Sequence, residues 1–235
     1  MMRKVMVDSE IFTQFPDFKR GIIVVKDIEN ALGNKRIKKP LNKEIEKRMK
    51  EDLIEHPFIK AWDEVHLKFG SDPHMFPPSI KALLKRIQKG GGFPFINSVV
   101  ALFNYISIKY LIPCGGDDVS KIEGNLHLGF AMGEEWFIAL GSEEKENPLA
   151  GEVIYFDDKT LKVMCRRWNW RNGDFSKITE NTKKIVINID GIGVVPQLII
   201  EEARDELAKL LIEHCKAELA TDLLDRKNRE IEIDF

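Results

Sequence analysis

The reading of this chain turns on INSVVALFNYISIKYLIPCGGDD, residues Ile96 to Asp118. Up to Leu111 the stretch reads as one apolar helix, with Asn97 or Ser98 available to cap its N-terminus. Pro113 ends it. Beyond Asp118 the apolar spacing changes to two: NLHLGFA, EEWFIAL, GEVIYFD, LKVMCRRWNW and KKIVINID alternate as strands joined by short polar links. Before it the spacing is mostly helical. Leu41, Ile45, Met49 and Leu53 recur every four residues, and AWDEVHLKF continues in that style. PPSIKALLKRIQKGGG is opened by Pro77 and Pro78 and stopped by Gly90 to Gly92. Two β-branched runs, Lys4–Asp8 and Gly21–Ile28, stand ahead of these helices. QLIIEEARDELAKLLIEHCKAELATDLL reads as a closing amphipathic helix.

The expected fold is therefore α+β, with layered β-sheets and helices packed on them. One domain, 1–235, would carry a helical N-terminal elaboration over about 40–92 and a packing helix over about 197–225. A chain of 235 residues with 43% apolar content can bury a substantial core. The net charge of −2 excludes a surface that grips nucleic acid all over, so any such contact must be a local patch. Cys114, Cys165 and Cys215 are odd in number and lack metal spacing. Met1 leads straight to Arg3 and Lys4 with no signal peptide, so reduced thiols in the cytoplasm are expected. No apolar run has the length to cross a bilayer, and no membrane partner is expected.

Familiar catalytic signatures are missing. KGGGF ends a helix and lacks the Lys-Ser/Thr of a phosphate loop, and GFAMGEE is followed by no helix. There is no HExxH or GxSxG. His56 and His66 read as residues of solvated helices, and no metal or cofactor is expected. Three constellations remain. From chemistry alone, Asn104 reads as a solvent-facing or carbonyl-bonded amide, and CGGDD as a loop with an acidic cap. In CRRWNWRNGD, a strand would put Arg167, Asn169 and Arg171 on one face and Arg166, Trp168 and Trp170 on the other. Core with ion pairs and binding surface fit that pattern equally. Trp168 is expected toward the core, Trp170 nearer the edge and more open.

PPSIKALLKRIQKGG, NSVVALFNYISIKYLIPCGGDD, IEGNLHLGFAMGEE, GEVIYFDD and CRRWNWRNGDFSKITENTKKIVINI together resemble the free-standing form of the tRNA-binding and editing (B3/B4) domain of the phenylalanyl-tRNA synthetase β subunit, from about Pro78 to Gly191. Asn104–Tyr105 match the asparagine-tyrosine pair of that domain, and Pro113 its proline. Gly173-Asp174-Phe175-Ser176 match its glycine-acidic-x-serine segment, while the position of its pocket histidine holds Gly115. CRRWNWRN fits the free-standing group and has no synthetase counterpart. The resemblance implies a pocket that receives a tRNA 3′ end and its aminoacyl ester. Asn104, Asp174 and the backbone of Cys114, Gly115 and Gly116 would hold ester and water. Arg167 and Arg171 would hold phosphates and Trp170 would stack on the terminal base. A trans-acting deacylase of mischarged tRNA is the implied activity. A non-catalytic tRNA-binding module and a small-molecule pocket protein are the alternatives.

Overall fold

The computed structural model of the protein describes residues 3–90 and 94–234. Gly91 and Gly92, expected to help stop a helix, lie outside them. The chain opens with β1 (Arg3–Val7), α1 (Ser9–Gln14) and β2 (Lys19–Asp27), then runs through four helices: α2 (Lys35–Arg48), α3 (Pro57–Lys68), α4 (Ser79–Gln88) and α5 (Ser98–Tyr110). The strands β3 (Cys114–Asp118), β4 (Leu126–Phe130), β5 (Phe137–Ile138), β6 (Lys145–Glu146), β7 (Val153–Asp157), β8 (Val163–Arg166), β9 (Arg171–Asn172) and β10 (Ile185–Gly191) follow. The chain closes with α6 (Gln197–Cys215), β11 (Glu218–Leu224) and β12 (Glu230–Ile233).

Two main sheets result. One has the order β12-β1-β4-β7-β8-β9, with only β1 and β4 parallel; the other is antiparallel, β11-β2-β10-β3. A two-stranded ribbon, β5-β6, lies beside them. One core joins the first sheet to α1 and α3 around Trp62 and Trp168; a second packs α2, α5 and α6 on the four-stranded sheet. Asn97 caps α5 by accepting from the Val100 amide at 2.9 Å, and Leu111, at φ 59°, turns the chain out of the helix.

Four expectations are corrected. The last helix stops at Cys215, where Lys216 takes φ 50°, and the residues after it form β11 on the edge of β2. The apolar stripe of the helix continues into Leu219 and Leu223, but pairing with a waiting strand edge decides the state. CGGDD is the edge strand β3, not a loop, although Asp118 does accept from the Ser120 amide at 3.0 Å. His66 is buried rather than solvated. The helical elaboration begins earlier than expected, at Lys35, and carries Pro40 within α2.

Candidate functional site

CRRWNWRN is a hairpin tip and not one continuous strand. β8 ends at Arg166, then Arg167 and Trp168 both take left-handed backbone, φ 47° and 65°, before β9 begins at Arg171. Two successive non-glycine residues there are strained, and packing holds them. Trp168 drives inward and is 2% exposed, edge-on to Phe15, Phe18 and Trp62 with ring centroids at 5.1, 4.9 and 5.4 Å. Trp170 is half-buried and edge-on to Phe76.

The arginines separate. Arg166 is buried against Glu152, its Nη2 at 2.7 Å from Oε2, and reaches Glu146 at 2.7 Å. Arg167 is also buried, over the Phe76 ring at 3.8 Å with Glu152 at 3.7 Å. An internal carboxylate and a ring thus occupy the guanidinium expected to receive phosphate. Arg171 stands exposed, its guanidinium 5.8 Å from the Trp170 ring centroid.

Beside this hairpin lie two adjoining chambers with Ser79, Cys114 to Asp117 and Asn172 common to their walls. The outer one, about 670 Å³, is lined by Asn104 of α5, Cys114 to Asp117, Trp170, Asn172 and Ser176 among others. The inner one, about 80 Å³, shares Cys114 to Asp117 and reaches Arg20, Tyr155, Cys165, Trp168, Asn188 and Asp190. The expected contributors Asn104, Cys114, Gly115, Gly116 and Trp170 therefore converge, from a helix, an edge strand and a hairpin. Asp174 does not line either chamber. Its Oδ1 accepts from the Gly141 amide at 3.1 Å and pairs with Lys177 at 3.0 Å, and these contacts hold its carboxyl below its usual range.

The acid in the common wall is Asp117. Ser176 Oγ donates to its Oδ1 at 2.7 Å, and burial pushes its pKa up to about 7. The amide of Asp118 points to the open side of β3, donating to the Ser176 carbonyl at 2.9 Å. Strand alternation sends the amides of Gly116 and Cys114 to that same side. Gly116 is required, because a Cβ there would lie 2.8 Å from the Val186 carbonyl oxygen. At Gly115 a Cβ would meet nothing within 4 Å. Both thiols of the cleft, Cys114 and Cys165, are pushed up by burial and stay protonated, which disfavours thiolate chemistry.

Sequence reasoning missed the inner chamber. Arg20 Nε and Nη2 donate to the two oxygens of Asp190 at 2.7 and 2.8 Å, and Trp168 Nε1 adds a bond to Asp190 at 3.1 Å. His66 sits behind it with Nε2 at 3.4 Å from Asn169 Oδ1; burial lowers its pKa to about 4, so the imidazole is neutral.

Outside the cleft, Lys35, Arg36, Lys38, Lys39 and Lys43 stand exposed on α2, most of them along one groove. α2 packs on α4, whose Arg86 lines the outer chamber and, with Lys85 and Lys89, a neighbouring groove. This is a local basic face on a chain of net charge −2. Among the described residues no cluster of side chains could hold a metal ion, and no helix is long and apolar enough to cross a membrane.

No curated protein matches the chain. The fold is similar to the crystal structure of an N-terminal fragment of the phenylalanyl-tRNA synthetase β-subunit from Pyrococcus horikoshii, with 13% identity and a TM-score of 0.50. That similarity covers 98% of this chain and 54% of the fragment, so the chain spans about half of the fragment's length. The family model described as the B3/4 domain matches residues 61–216, which take in the hairpin, the edge strand and α5. This chain belongs to the B3/4 domain family.

Proposed function

We propose that the protein binds the 3′ end of an aminoacyl-tRNA and hydrolyses the ester between the amino acid and the terminal ribose. The observation that carries this reading is Asp117, a carboxyl with a pKa near 7 in the wall common to two chambers, on an edge strand whose Cys114 and Gly116 amides point away from β10. An aminoacyl ester is already activated, so it needs a positioned water and a home for developing charge, and no protein nucleophile.

The ionised Asp117 takes a proton from water as the water oxygen bonds to the ester carbonyl carbon. The carbonyl oxygen becomes an oxyanion beside the Gly116 amide, with Asn104 as a side-chain donor from the outer chamber. Collapse breaks the bond to the ribose oxygen, and the proton on Asp117 passes to that oxygen. Free amino acid and tRNA leave. Trp170 offers a ring to the terminal base and Arg171 a cation to the phosphates. The basic face of α2 and α4 supports an RNA partner independently of catalysis, and the similar fold of a tRNA synthetase fragment agrees with such a partner.

The test is the half-life of the ester in a panel of mischarged tRNAs, with and without the protein and its Asp117→Asn variant. Faster loss of at least one ester is expected, slowed about 10²–10⁴-fold in the variant. Half-lives equal to those in buffer, with tRNA still bound, would reduce the protein to a non-catalytic tRNA-binding module.

A further inference from the structure

The inner chamber is built from polar groups left without partners. Arg20 and Tyr155 are each 2% exposed and Asn169 9%. Arg20 Nη1, Asn169 Nδ2 and Asn188 Oδ1 are buried and find no hydrogen-bond partner among the described protein groups, and the buried Tyr155 hydroxyl stands beside the Asn188 side chain. All four residues line this one small chamber. A buried donor or acceptor left unsatisfied is destabilising, so three of them around one space, with the Tyr155 hydroxyl among them, mark it as a place for something polar.

Their chemistry constrains the occupant. Arg20 Nη1 and Asn169 Nδ2 only donate, Asn188 Oδ1 only accepts, and Tyr155 Oη does either. One small group meets both kinds only if it too donates and accepts. The Arg20 and Asp190 charges already cancel, so an anionic occupant would be stripped of water beside Asp117 with no free cation, and a cationic one would pair with Asp117 and take away the proton acceptor. Size limits it further. About 80 Å³ is roughly half of the ~150 Å³ cavity that admits a benzene ring.

We propose that the inner chamber is the subsite for the acyl side chain, and that it selects a small neutral side chain bearing a hydroxyl or carboxamide over apolar and aromatic ones. This rests on the ester-hydrolysis reading for its role in turnover, but recognition of the side chain does not depend on hydrolysis. The two chambers share Cys114 to Asp117, beside which the ester carbonyl would lie.

Calorimetric titration of the protein with serinamide, threoninamide, asparaginamide, alaninamide and phenylalaninamide tests recognition alone. The hydroxyl or carboxamide ligands should bind at least about tenfold tighter than the other two. Tyr155→Phe should erase most of that preference, and a melting temperature within a few degrees of the parent's would show that the loss is one of recognition and not of folding. The second arm is the initial rate on tRNA charged with serine, threonine, alanine or phenylalanine. Selective amide binding with no hydrolysis of any ester would keep the subsite and remove the deacylase. Hydrolysis that favours phenylalanine or alanine would keep the deacylase and overturn the subsite. No saturable binding of any amide, or equal binding of all five, would overturn it as well and leave a chamber that holds water only.

Discussion

Asp117→Asn tests the electrostatics of the cleft without any substrate. Asp117 has a folded pKa of about 7 against about 3.9 when unfolded, so between these values the folded state holds the extra proton. His66 does the opposite: its folded value of about 4 lies under the unfolded 6.5, so there the unfolded state holds it. Near pH 5.5 the folded protein therefore carries one proton on Asp117, the unfolded chain one on His66, and their contributions to the slope of stability with pH cancel. In the variant only His66 remains. Stability should then rise with pH by about 1.3 kcal/mol per unit more than in the parent, the 1.36 kcal/mol of a full proton reduced by partial titration. At pH 8 the parent bears a desolvated carboxylate and the variant does not, so the variant should unfold at higher urea although it has lost its proton acceptor. Urea unfolding at pH 5.0, 5.5, 6.0 and 8.0 reads both effects. Parallel lines for the two proteins between pH 5 and 6 would refute the raised Asp117 pKa, and with it the assignment of proton acceptor.

Trp168→Ala should cost about 3–5 kcal/mol in urea unfolding, because it empties the contact with three aromatic rings, while Trp170→Ala should cost far less and weaken RNA binding instead. Gly115→Ala should leave the melting temperature close to the parent's, whereas Gly116→Ala should lower stability by about 1–3 kcal/mol through its clash with the Val186 carbonyl. Replacing Lys35, Lys38 and Lys39 with glutamine should weaken tRNA binding similarly across sequences; the slope of log affinity against log salt should shrink by about 0.9 for each phosphate no longer neutralised, read by filter binding from 50 to 200 mM salt.

Much of the fold is legible in local spacing. The strands β4, β7 and β10 and the helix α5 fall where alternation and capping put them, and Trp168 turns to the core as its apolar bulk requires. β3 is hidden because two glycines lower strand propensity, although the close passage of β10 demands one of them at Gly116. The face argument for CRRWNWRN fails past Arg166 because it assumes unbroken extended backbone, and two positive φ values reset the alternation. The cleft is half visible. Asn104, Trp170 and the backbone around Gly115 line one chamber, but Asp174 faces a turn and Asp117 stands in the wall common to both chambers. The inner chamber has no local signal at all: Arg20 and Asp190 are ordinary strand residues until the fold places β2 against β10.

The two strands after α6 have a bearing on how the molecule is made. β11 seals the edge of β2, and β12 seals the edge of β1, pairing Arg3 with Ile233. During synthesis both sheets therefore stay open until residues 218–233 have left the ribosome, and the exposed edges of β1 and β2 are templates for wrong pairing in the interval. Closure joins segments from opposite ends of the chain, an arrangement that slows folding. A nascent chain stalled before residue 218 should be captured by chaperones far more readily than one stalled with residue 233 well clear of the exit tunnel.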